Sequence, residues 1–266
     1  MEQIERVSSV DQKNRWRLVV KWLLFPGLNV GTRKRMKFSK HLQAGELLTL
    51  DAGCGNGAFS YEACRLGNKV LGINIDPEQV RRCEEYRDFM GIDPEQCKFK
   101  LHDIYDAAAL RQVFDQIICF ETLEHLERDR EVLALFEKII RPGGFLHICT
   151  PRRKRTAYFG EALSDTEDGG HVRLGYEFDE LESMLSDHGF EVINNNTAIG
   201  FFSLKLEELL NWFEVVGCGN LPGGLREILQ AGLFLFLYPF TLLDNPLSRS
   251  YLSIYVKARA IERERA

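Results

Sequence analysis

Leu48-Thr-Leu-Asp51-Ala-Gly53-Cys-Gly55-Asn-Gly57 sets a carboxylate two residues ahead of three alternating glycines. Without a Cβ, glycine lets the backbone pass close to a ligand. An apolar run leads into this turn, and the pattern that follows predicts a helix over about 57–66. The amide groups at a helix start point toward such a ligand and favour binding there. This is the chemistry of a nucleotide-cofactor loop.

Two cofactors fit the spacing. Gly53, Gly55 and Ala58 satisfy the dinucleotide pattern G-x-G-x-x-G/A, with Asp76 roughly where a ribose-binding acid belongs. Asp51 argues for the other. A dinucleotide lays its pyrophosphate on this turn, and a buried carboxylate beside it is repelled. S-adenosylmethionine (SAM) presents an ammonium and a sulfonium instead, and an acid suits both.

Further motifs follow in order between about residues 47 and 151. They are Val70-Leu-Gly-Ile-Asn-Ile-Asp76, His102-Asp103-Ile104, Asp115-Gln-Ile-Ile-Cys-Phe-Glu-Thr-Leu-Glu-His-Leu126 and Arg141-Pro-Gly-Gly144. With the glycine loop, this set resembles the class I SAM-dependent methyltransferases, most of all the subgroup of ubiquinone-biosynthesis O-methyltransferases. A looser similarity links the apolar tail and Phe25-Pro-Gly-Leu-Asn29 to bacterial methyltransferases of saccharide and lipid pathways.

The elements that must position these residues alternate. Strands are expected at 47–51, 69–75, 97–101, 116–120 and 144–149. Helices are expected at 57–66, 77–90, 127–140 and, shorter, near 107–112. Pro77 suits a first helical turn. Such alternation implies an α/β fold with a parallel sheet covered on both faces, whose ligands bind beyond the carboxyl ends of the strands. A helix at 179–188 and strands at 190–194 and 252–258 follow. The resemblance implies a Rossmann-like, mostly parallel seven-stranded sheet in the order 3-2-1-4-5-7-6. It divides the chain into a basic helical N-terminal extension (1–45), a SAM-binding core (46–199), a helical cap or insertion (200–247) and a last strand with its tail (248–266). In the extension, apolar residues over 16–25 recur at helical spacing, and a basic helix is expected from Thr32 to about Leu42.

In the insertion, Ala231-Gly-Leu-Phe-Leu-Phe-Leu-Tyr-Pro-Phe-Thr-Leu-Leu243 is too short for a membrane span. It reads as a core helix, as a lid on an apolar acceptor pocket, or as a segment lying on a bilayer. The net charge of −5 hides a basic first forty residues and a second basic run, Arg152-Arg-Lys-Arg155. Each reads as a solvated face or as a surface for an anionic partner, including peripheral membrane contact. Without interleaved aromatics, nucleic acid fits these runs poorly. The seven cysteines form no C-x-x-C pair, and no secretory leader is visible, so a cytoplasmic location is expected.

The resemblance implies site roles. Asp51 lies near the methionine moiety, and the amides of Gly53, Cys54, Gly55 and Gly57 run along the cofactor. Asn74 stands where an acid usually binds the ribose; Ile75 and Asp76 follow it, Asp76 alternatively as a helix N-cap. Asp103 and the Ile104 amide meet the adenine. Phe120 and Glu121 end the fourth strand facing the cofactor, Glu121 alternatively as a cap. For the acceptor, His171 in Gly169-Gly-His-Val-Arg-Leu-Gly-Tyr176 and His125 are base candidates, each alternatively structural. Arg173 and Tyr176 are candidate acceptor contacts. No H-E-x-x-H or paired-cysteine ligand set appears, so no metal is expected. The reading is a methyltransferase acting at a hydroxyl of a small-molecule, saccharide or lipid-like acceptor. Methylation of protein or RNA, and a non-catalytic SAM-fold binding protein, are the alternatives.

Overall fold

The computed structural model describes residues 18–19, 25–27, 29–153, 163–212, 223–244 and 252–262. Expectations for most of 16–25, for Lys154 and Arg155, and for 245–251 fall outside them. The strands are β1 (Leu48–Ala52), β2 (Lys69–Asn74), β3 (Cys97–Leu101), β4 (Phe114–Phe120), β5 (Ile140–Pro151), β6 (Phe190–Ala198) and β7 (Ser253–Ala260). They form one sheet in the order β3-β2-β1-β4-β5-β7-β6. Pairing is parallel from β3 to β5, while β7 runs antiparallel to both neighbours. The expected order holds.

The helices are α1 (Val30–Arg35), α2 (Ala58–Arg65), α3 (Pro77–Phe89), α4 (Asp129–Ile139), α5 (Phe178–Asp187), α6 (Phe201–Trp212) and α7 (Gly223–Leu237). Side chains alternate across the sheet, so successive residues feed two cores. Leu50, Ala52, Ile117 and Cys119 pack with Val132, Leu133 and Phe136 of α4 and with Leu181 and Leu185 of α5. Ile118 and Phe120 pack on the other face with Phe59, Cys83, Tyr86 and Tyr255. Burying each large apolar side chain contributes about 1.5–3 kcal/mol. Local signals set the element ends: Asp76 caps α3 by accepting from Glu78 N at 2.8 Å, with Pro77 at the first turn.

Three boundaries differ from expectation. The basic helix over 32–42 is a short α1 followed by a 3-10 turn, Met36–His41, which buries Phe38 against Tyr255. Near 107–112 the chain instead forms a 3-10 segment, Ile104–Leu110. The Arg141–Gly144 turn is looped out inside β5: Phe114 pairs with Ile140, and pairing resumes at Gln116 with Phe145.

Residues 231–243 extend α7 into a 3-10 turn, Tyr238–Leu243. Phe234 and Thr241 are its buried side chains, whereas Leu235, Phe236, Phe240, Leu242 and Leu243 are exposed. The segment thus gives Phe234, with Leu237 and Tyr238 packed beside it, to a small cap core and leaves most of its other apolar side chains exposed. Among the described residues, no helix is long and apolar enough to cross a membrane.

Candidate functional site

The carboxyl ends of β1, β2, β3, β4 and β5 form one edge, and the expected cofactor residues lie along its first half. Gly53, Gly55 and Gly57 all have positive φ. A Cβ on Gly53 would run into Thr122, and one on Gly57 into Tyr61, so these two permit the loop's own packing. A Cβ on Gly55 would meet nothing closer than the Gly53 carbonyl at 4.0 Å. That opening leaves room for a ligand to pass close to the backbone. The Gly53 and Cys54 amides both donate to Ile73 O, and the Cys54 side chain turns into the core, so its backbone alone lines the loop.

Asp51 is 3% exposed and accepts from the Ser60 hydroxyl at 2.5 Å. Burial pushes its pKa up to about 6, against the opposing pull of Ser60. Thus the residue is a sealed acid without a counter-charge among the described residues, suited to a cationic ligand group. Asn74 accepts from the Asp76 amide at 2.9 Å. The Asp76 carboxylate is committed to its helix cap, the alternative role foreseen for it. Asp103 is likewise engaged, accepting from Tyr105 N at 2.9 Å. Ile75 is 64% exposed and Leu101 53%, at the ends of adjacent strands. Two uncovered aliphatic side chains there fit a flat apolar base. The Ile104 side chain is buried, leaving its backbone at this edge. An open glycine cradle, a sealed acid and this apolar platform together fit SAM.

The second half of the edge is assembled from distant segments. Phe120 is buried among Phe38, Phe59 and Tyr255. Next to it Glu121 takes φ +50°, a sparsely populated conformation for a residue with a Cβ. Its amide donates to Cys149 O at 2.7 Å and its carboxylate pairs with Arg35 of α1 at 2.5 Å, so it caps no helix. Partial burial lowers the pKa of the Arg35 guanidinium, but the charges of neighbouring groups, Glu121 foremost, outweigh it and hold the value above the usual one.

Glu124 is fully buried. One carboxylate oxygen accepts from Thr150 Oγ1 at 3.3 Å, while Oε1 has no hydrogen-bond partner. Burial, then the charge of Glu121, drives its pKa well above the usual range. His125 directs Nδ1 at Gly170 O, 2.8 Å away, which fixes that nitrogen as the donor and leaves Nε2 as an acceptor or ligand. The His171 ring lies 4.6 Å from the His125 ring. Ligating atoms of Glu124, His125 and His171 all fall within 4.8 Å of one another. These three form a donor group of the kind that holds a divalent cation. Spacing along the chain did not reveal it because His171 comes from a separate loop, tied down by Val172 N donating to Glu124 O at 2.9 Å.

Arg173 and Tyr176 do not reach this cluster as acceptor contacts. Arg173 pairs with Asp129 and donates to Leu126 O, and the Tyr176 hydroxyl donates to Asp129 at 2.6 Å from a buried position. Both brace the loop that presents His171. Arg35 and Glu124 were not singled out from sequence. Glu124 stood inside the Glu-Thr-Leu-Glu-His motif, which carried the family resemblance but gave it no role of its own, and no local signal marks Arg35.

Residues 45–172 match the family described as "Methyltransferase domain". Over that stretch, just under half of its length, the chain carries a methyltransferase domain. A curated relative, the ubiquinone biosynthesis O-methyltransferase of Xanthomonas euvesicatoria, is 30% identical over 121 residues, covering 45% of this chain and 49% of the relative. The chain thus spans about half the length of such relatives. Among solved structures, a 4+2 cyclase, SpnF, superposes with a TM-score of 0.57 at 17% identity, over 83% of this chain and 77% of that one. A sarcosine dimethylglycine methyltransferase homologue from Galdieria sulphuraria also gives 0.57, at 14% identity over 87% and 84%. These likenesses show the shared fold. The methyltransferase domain covers the whole cofactor edge and ends at Val172, just past His171; the cap lies outside the match.

Proposed function

We propose that this protein transfers a methyl group from SAM to a hydroxyl oxygen of a small lipid-like or saccharide acceptor. One observation carries the oxygen assignment: the Glu124–His125–His171 cluster lies beside the cofactor loop, with Thr122 bridging to Ala52 O at 3.3 Å. An amine acceptor needs no strong base, whereas a hydroxyl generally does. Curated relatives named as ubiquinone biosynthesis O-methyltransferases support the same choice.

SAM, when bound, supplies a methyl already activated on a sulfonium, so the chain's own task is alignment and proton removal. Asp51 orients the cofactor through its cationic end. His125 Nε2, freed by the Nδ1 contact, takes the acceptor's hydroxyl proton as the oxygen advances on the methyl carbon. A cation held by Glu124 and His171, with His125 left free as the base, would lower the acceptor hydroxyl's pKa. In this reading α1 and the cap roof the acceptor, with the Arg35–Glu121 pair fastening that roof to the end of β4.

The test is incubation with methyl-labelled SAM and a bacterial extract, followed by separation of organic, aqueous and macromolecular phases. The proposal expects label in a small-molecule phase, lost with His125→Ala. Label in the macromolecular phase would move the acceptor to protein or RNA, and no transferred label would overturn catalysis.

A further inference from the structure

We propose that the outer face of the cap docks this protein onto an anionic bilayer. The Tyr238–Leu243 turn enters the headgroup region, and a lysine stripe beside it faces the lipid phosphates. This proposal does not rest on the acceptor assignment.

The apolar part is exposed, with none of the described residues folded over it. Leu242 is 79% exposed, Phe236 74% and Leu243 61%, joined by Leu235 and Phe240. Large apolar side chains clustered in this way mark an interaction surface. Meanwhile Phe234 and Tyr238 stack together at 4.8 Å and, with Val30 and Leu206, fasten the turn to α1 and α6. The exposed side chains therefore sit on an ordered base.

The charged part adjoins it. Lys34 Nζ donates to Thr241 O at 2.7 Å and pairs with Asp244 at 3.7 Å. The Arg33 guanidinium lies 5.4 Å from the Phe234 ring. Lys37 and Lys40, the next two cations at a three-residue step, are exposed, and no carboxylate pairs with either among the described residues. Burial, then the charges of Lys40 and Lys34, hold the Lys37 ammonium below its usual pKa, which places the three cations together. Asp244, the acid whose charge reaches Lys37, already pairs with Lys34 at 3.7 Å. An apolar prow flanked by unneutralised lysines matches the headgroup boundary of an anionic membrane. The alternative occupant, a second copy related by a two-fold axis, would bring two lysine stripes onto one seam.

The probe is co-sedimentation with vesicles of phosphatidylcholine alone and of phosphatidylcholine mixed with phosphatidylglycerol. The expected result is binding to the mixed vesicles that weakens with salt. Phe236→Ser with Leu242→Ser and Leu243→Ser should weaken it at least about tenfold, and Lys37→Gln or Lys40→Gln about fivefold each. Unchanged affinity of the triple variant for S-adenosylhomocysteine (SAH) would show that the fold is intact. Wild-type protein left in the supernatant with mixed vesicles at low salt would overturn the proposal. So would a triple variant that sediments like wild type, or a wild-type dimer that the triple variant converts to monomer with no vesicle binding in either.

Discussion

Asp51 and Glu124 are both carboxylates sealed at the carboxyl edge of one sheet, and they are held in opposite ways. Asp51 has a hydroxyl partner at 2.5 Å and no counter-charge among the described residues; it belongs to a cofactor half made of contiguous strand–turn–helix segments. Glu124 has the Arg35 charge nearby but leaves Oε1 without a hydrogen bond. It belongs to an acceptor half gathered from α1, the end of β4, β5 and the loop around His171. On the proposed reading the difference separates tasks: the first half binds SAM, and the second decides what is done with it. A shared fold alone does not fix the second, as the cyclase with the same architecture illustrates.

The largest effect that would sharpen this division is on His125. His125→Ala should lower methyl transfer by about 10²–10⁴-fold and leave SAH affinity within about twofold by calorimetry; a matching loss of affinity would erase the division. Next is Asp51→Asn, expected to weaken SAH binding by roughly ten- to hundredfold, the value of a charge-assisted bond. The same variant should raise the unfolding temperature of the ligand-free protein.

That second half of the prediction follows from the raised pKa. Folded Asp51 titrates at about 6, above its ordinary value of 3.8, so the native state binds its proton before the unfolded chain does as pH falls. Its penalty is full above pH 6 and fades as pH drops toward the ordinary value, a swing of about 3 kcal/mol. A bound ammonium offsets that penalty. SAH affinity should therefore rise with pH through about 6, by at most about tenfold per unit, and then level off. A flat profile in wild type would detach Asp51 from the cofactor's cationic end. The smallest effect is on the brace: Tyr176→Phe removes the hydroxyl contact to Asp129 and should cost about 1–3 kcal/mol of stability in urea unfolding. SAH affinity should not change; a weaker one would mean that the brace reaches the cofactor half.

The cofactor half was legible because each of its parts carries its own signal. Asp51 and the glycines are adjacent, Asp76-Pro77 announces a helix start, β2 reads as a largely apolar run and β3 as apolar residues alternating with lysines. The acceptor half was legible only as pieces. His125 and His171 were visible, but their meeting depends on a loop anchored by Val172 to Glu124 and braced by Arg173 and Tyr176. That bracing spent two residues that loop position alone made look like acceptor contacts. Arg35 lies in a basic extension where nothing local distinguishes it from its neighbours. In the cap, composition gave apolar helices, yet their exposure depended on how few positions the core could offer α7.

The most direct measurement sets wild type beside Glu124→Gln, with SAH affinity and initial rate of methyl transfer determined on the same samples. Glutamine preserves shape and removes the acid and the ligand charge. Equal affinity with a rate at least about a hundredfold lower is the predicted result. An unchanged rate, or affinity and rate falling together, would contradict the assignment of chemistry to the acceptor half.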